Sequence, residues 1–151
     1  MESTLKRRQI FKVSEKSKAL IVDLVSYIFI LLFVYTAISK FLTLSTFQNV
    51  LGHYPLLSGY TVFTSYAVPT VELIVALLLI NPKTKMIGLY GSLILMSIFL
   101  VYVLFMIFTL GPNLPCSCGG IISKLSWKQH IWFNSILILA ATFAIKNYKK
   151  L

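Results

Sequence analysis

Ala19–Leu42 reads ALIVDLVSYIFILLFVYTAISKFL, an apolar run broken by one acid, Asp23, and one base, Lys40. A bilayer core about 30 Å thick is crossed by about 20 helical residues, and this run is longer than that. Comparable runs follow at roughly 61–80, 86–110 and 127–145. The chain has 151 residues, 58% apolar and only 12% charged, whereas a soluble domain carries about 25% charged residues. No soluble domain fits between the runs. The expected fold is all-α, an integral membrane four-helix bundle. A basic segment, 1–18, precedes the four-span domain, 19–145, and a basic tail, 146–151, follows it. No small-residue cleavage site follows the first run, which reads as a retained helix and not a removed signal peptide.

The net charge of +10 is unevenly placed. Lys6, Arg7, Arg8, Lys12, Lys16 and Lys18 precede the first span, Lys83 and Lys85 sit between the second and third, and Lys146, Lys149 and Lys150 follow the fourth. Only Lys40, Lys124 and Lys128 fall at the alternate ends. Cytoplasmic loops of membrane proteins are enriched in Lys and Arg, so both termini are expected in the cytoplasm of a bacterial inner membrane. The basic ends would also meet anionic headgroups. This distribution argues for the lipid bilayer as the partner of the charge, and against nucleic acid.

Punctuation supports the spans. The second run ends at Asn81-Pro82, where proline lacks an N–H and discourages a continuing helix. The third ends at Gly111-Pro112. Ser126 and Gln129 have the spacing of a capping box at the start of the fourth, and Trp127 and Trp132 are expected at the outer interface. Between the first two spans, Thr46, Gln48, Asn49, His53, Pro55 and Gly59 read as an outer loop.

The second outer loop contains Pro115-Cys116-Ser117-Cys118-Gly119-Gly120, with the only two cysteines of the chain. On the periplasmic side thiols meet oxidants. An i,i+2 disulfide is geometrically tight, and strained, exposed disulfides exchange readily. Thiol–disulfide exchange at Cys116 and Cys118 is therefore the favoured reading. A loop staple is the bland alternative, though closing so short a loop removes little chain entropy. A metal site is poorly supplied, since only His53 and His130 could add to two thiols where a structural zinc takes four ligands.

Acids inside a membrane span are costly and usually face a partner. Asp23 is expected to be neutralised by Lys16 or Lys18. Glu72 lies three residues after Pro69, and Lys40 near the outer end of the first span is within reach of it in an antiparallel pair. The bland reading of Lys40 and Glu72 is a buried ion pair fixing helix register; the sharper one is a proton-handling carboxylate or part of a quinone-facing site. His53 and His130 are expected near the outer surface, where His130, as a cation, could lower a thiol pKa.

Taken together, Tyr35-Thr36-Ala37-Ile38-Ser39-Lys40, Phe47, Pro69-x-x-Glu72 and Cys116-x-Cys118 resemble the MauE branch of the DoxX-like membrane proteins, over roughly 27–144. The resemblance implies a redox-associated four-helix protein in which Cys116 and Cys118 carry thiol chemistry and Lys40 and Glu72 mark the bundle core. It also implies a role like that of MauE in methylamine utilisation, which assists maturation of the disulfide-rich small subunit of methylamine dehydrogenase beside a thioredoxin-like protein. Four-helix quinone-linked thiol oxidases use two cysteine pairs in relay, and this chain has one. It would need a thioredoxin-like periplasmic partner, an exported client or quinone itself to complete a circuit. Two other readings stand beside a thiol–disulfide oxidoreductase component. One is a non-enzymatic membrane assembly factor; the other is a small proton-coupled transporter using Glu72, which leaves the cysteines unexplained.

Overall fold

Nine large apolar residues of the first helix are exposed, among them Leu20, Leu24, Tyr27 and Leu31, while Val22, Val25, Ser26, Phe29, Phe33, Thr36, Ala37 and Lys40 form a buried stripe. The steps of three and four residues in that stripe follow the helical repeat of 3.6. This helix, α1, covers Glu15–Leu42 in the computed structural model, which describes residues 15–54, 56–111 and 126–149. It extends N-terminal of the expected Ala19 to at least Glu15, which accepts from Lys18 at 2.7 Å.

Four further α-helices follow: α2 (Leu44–Gly52), α3 (Thr61–Ile80), α4 (Lys85–Leu110) and α5 (Trp127–Tyr148), with a short 3-10 turn at Ser58–Tyr60. The described residues contain no strand. Four of the helices, all but α2, are long and apolar enough to cross a membrane. The chain is a multi-pass membrane protein with an all-helical fold. α1 packs on α3 and α5, and α4 packs on the same two helices, so α1 and α4 face each other diagonally.

The stretch read as an outer loop holds a helix. In α2, Phe47 and Leu51 are one turn apart and both are buried, which gives the segment an apolar edge to lay on the bundle. Gln48 Nε2 donates to Ser65 Oγ at 3.0 Å and ties α2 to α3. α2, Ser58–Tyr60, Gly111 and Ser126 lie at one end of the bundle, called here the loop end. The opposite, turn end holds Glu15, Asn81–Lys85 and Tyr148.

Terminators match local chemistry. α3 stops at Ile80 and Asn81 turns extended, as expected of a residue before proline; Asn81 Oδ1 then accepts from Lys83 N at 3.0 Å. Gly111 closes α4 with φ of 80° while its N–H donates to Ile107 O at 3.1 Å, a left-handed end suited to glycine. Ser126 and Gln129 make the reciprocal capping box of α5.

At the turn end a β-carbon added to Gly88 would sit 2.9 Å from Leu79 N and from the Leu79 side chain. α3 and α4 therefore approach at backbone distance there. Between helices in lipid the driving force is close packing and not water exclusion, and small residues permit that approach. Lys85 Nζ pairs with Asp23 Oδ1 at 2.7 Å. The expected neutralisation of Asp23 by Lys16 or Lys18 is thus corrected: Lys18 is turned to Glu15, and the partner comes from α4, distant in sequence.

Candidate functional site

Three of the four spanning helices carry polar groups to the same interior region. α1 supplies Thr36 and Lys40, α3 supplies Glu72, and α5 supplies His130 and Asn134. Glu72 lies about 16 Å of helical rise from Thr61, near the middle of its span. Pro69, one turn earlier and buried, removes the N–H that would donate to the Ser65 carbonyl. Lys40 Nζ donates to Glu72 Oε1 at 2.6 Å, with Lys40 2% and Glu72 6% exposed. The two residues separated by 32 positions are brought into direct contact.

His130 stands one turn inside α5 and is 1% exposed. The expectation of a surface-facing His130 is corrected: on the helical repeat it falls on the stripe His130, Asn134, Leu137, Ala141, all buried. His53 does lie exposed, its Nδ1 2.6 Å from Asn49 O. Asn134, 3% exposed, was not singled out in the sequence. Its signal was the i,i+4 spacing from His130, which places both on one face.

These residues line a cavity of about 30 Å³, walled elsewhere by Leu32, Phe33, Met96, Phe99 and Phe133. Three polar atoms in it have no hydrogen-bond partner among the described residues: Glu72 Oε2, His130 Nε2 and Asn134 Nδ2. One is an acceptor, one a donor, and the imidazole nitrogen serves as either. Buried polar groups are almost always satisfied, so this cluster has the composition of a site for a small polar group. A second, apolar cavity of about 240 Å³ adjoins it, with Lys40 and Phe99 in the walls of both.

Cys116 and Cys118 lie outside the described residues. The described residues that flank them in sequence, Gly111 and Ser126, both lie at the loop end. Six of the eight described lysines gather at the other end, Lys16, Lys18, Lys83, Lys85, Lys146 and Lys149, with Lys149 Nζ 5.6 Å above the Tyr90 ring. Among the described residues no group of three His, Cys, Asp or Glu side chains comes together.

A family model described as methylamine utilisation protein MauE matches residues 18–146. The chain belongs to the MauE family. The match takes in all four spans, Lys40, Glu72, His130 and Asn134, and also the Cys116–Cys118 segment. No curated protein and no solved structure matches the chain. The polar cluster is thus a feature of this MauE chain read from its own geometry.

Proposed function

We propose that this MauE-family chain is the membrane component of periplasmic thiol–disulfide chemistry and assists disulfide formation in, or maturation of, an exported partner protein. The observation that carries the reading is the separation of the two ends. The only cysteines of the chain are tethered between the loop-end termini of α4 and α5, and the basic residues collect at the turn end. In this reading, which the positive-inside rule supports, the turn end is cytoplasmic with both termini, and Cys116 and Cys118 belong to the oxidising face of a bacterial inner membrane. Membership of a family described as methylamine utilisation protein MauE supports a methylamine-utilisation-associated role; in our reading the client is a disulfide-rich exported protein.

A single cysteine pair cannot relay electrons alone. The exchange is written with a thioredoxin-like or client protein as co-reactant: a thiolate of one attacks the disulfide of the other, one S–S bond breaks as another forms, and the leaving thiolate takes up the proton released by the attacking thiol. The bundle carries the ends of α4 and α5 from which the cysteine segment extends, and the Lys40–Glu72 contact fixes α1 against α3. The test is the disulfide content of exported proteins in cells carrying Cys116→Ser or Cys118→Ser. Exchange predicts client proteins with free thiols while the variant is inserted at normal levels. Full client oxidation in both variants would remove the thiol role and leave a non-enzymatic assembly factor.

A further inference from the structure

The adjoining cavities have complementary chemistry. The larger is walled by Phe47, Leu51, Val68, Phe99 and Val103 among others, with Lys40, Thr64 and the tyrosines Tyr54 and Tyr102 its polar contributors. An apolar cavity of about 150 Å³ in a protein core admits a benzene ring, so 240 Å³ has room for a substituted six-membered ring. The smaller cavity, about 30 Å³, has room for an oxygen atom or a water, since about 10–15 Å³ suffices for one. It presents the three unpaired groups, Glu72 Oε2, His130 Nε2 and Asn134 Nδ2. A largely apolar pocket with a few convergent polar groups is the general form of a small-molecule site.

We infer that the two cavities form one binding site for a lipophilic ring bearing a hydrogen-bonding oxygen, the chemistry of a quinone and its quinol. The ring lies in the apolar cavity between α2, α3 and α4, beside Phe99. Its oxygen enters the polar cavity. As a carbonyl it accepts from Asn134 Nδ2, or from His130 in the tautomer that carries its ring hydrogen on Nε2; as a hydroxyl it donates to Glu72 Oε2. A purely apolar occupant such as an acyl chain would leave those three groups unpaired, at the cost that attends any buried unsatisfied polar atom. Water alone would satisfy them but leave the larger cavity without a role. The α2 helix, pinned by Gln48 to Ser65, closes the loop-end side through Phe47 and Leu51. The inference does not depend on the thiol reading.

The experiment is calorimetric titration of the purified full chain in nanodiscs with a benzoquinone carrying one short isoprenoid group, and with toluene as the ring without oxygen. The expected result is saturable, one-to-one quinone binding. Asn134→Leu should weaken it about tenfold, the equivalent of one lost buried hydrogen bond. Thr64→Phe and Val103→Phe, which fill the ring cavity from different helices, should each abolish it; a variant that is not monodisperse is set aside and the other decides. Cys116→Ser/Cys118→Ser should bind as the unaltered chain does, so loss of thiol function and loss of the ring site are separable. Absence of saturable binding, or equal affinity for toluene and quinone with no effect of Asn134→Leu, would overturn the inference and leave an apolar cavity for lipid chains.

Discussion

Lys40 Nζ and Glu72 Oε1 meet at 2.6 Å inside the bundle, joining the loop-end quarter of α1 to the centre of α3. Two charges withdrawn from solvent are tolerable only together, because the desolvation of each is offset by the other and by further hydrogen bonds. Thr36 and Glu72 both line the smaller cavity, and the carboxylate has one oxygen, Oε1, committed to Lys40 and the other, Oε2, buried without a hydrogen-bond partner among the described residues.

The first prediction concerns that pair. Lys40→Met or Glu72→Leu alone should cost about 3–5 kcal/mol, since each strands a buried charge. The double variant, which buries neither charge, should recover most of the loss. Thermal unfolding in detergent, arranged as a double-mutant cycle, measures the coupling. Additive losses would show that the contact does not hold the helices.

The Asp23–Lys85 pair should behave differently. Its distance is nearly the same, 2.7 Å, but the Asp23 side chain is half exposed. Exposed pairs contribute about 0–1 kcal/mol. Asp23→Asn and Lys85→Gln should therefore shift the melting temperature little, and a loss as large as that of Glu72→Leu would contradict the contrast.

Helix contact at the turn end is tested by glycine substitutions. Gly88→Leu forces side-chain atoms onto the Leu79 backbone, and overpacking of this kind costs about 1–3 kcal/mol. Gly52→Ala, where nothing lies within 4 Å of the added carbon, should be neutral within about 0.5 kcal/mol. Equal melting temperatures for the two variants would argue against a backbone-close α3–α4 crossing.

Topology is open to direct labelling. In a Cys116→Ser/Cys118→Ser background, Ser58→Cys at the loop end should react with a membrane-impermeant maleimide on intact spheroplasts. Lys83→Cys at the turn end should react only after the membrane is permeabilised. The reverse pattern would place the native cysteines in the cytoplasm.

The four spans were legible because an apolar run of bilayer length has few other uses, and Asn81-Pro82, Gly111 and the Ser126–Gln129 box are local chemistry readable without tertiary information. The meeting of Lys40 and Glu72 was legible for a related reason: an antiparallel pair with one base and one acid leaves few alternatives. Asp23 was misassigned because sequence neighbours were weighed and α4 was not; the bundle delivers Lys85 from 62 positions away. α2 was read as loop since nine residues with only Phe47 and Leu51 to bury make a helix through docking and not through length. His130 was placed at the surface by its distance from the end of the span, although the angular position shared with Asn134 and Leu137 turns it inward. Cavities arise from how four stripes fit together, and no single stripe encodes them.

The central claim is that Cys116 and Cys118 exchange disulfides outside the cytoplasm, and alkylation trapping in living cells tests it most directly. Membranes quenched in acid and labelled with a mass-tagged maleimide report the thiol state before and after a pulse of reductant. The account predicts re-oxidation of the pair after the pulse, and a mixed disulfide with an exported protein that accumulates when one cysteine, Cys116 or Cys118, is replaced by serine. Thiols that stay reduced throughout, with no mixed disulfide in either variant and normal client maturation, would contradict it.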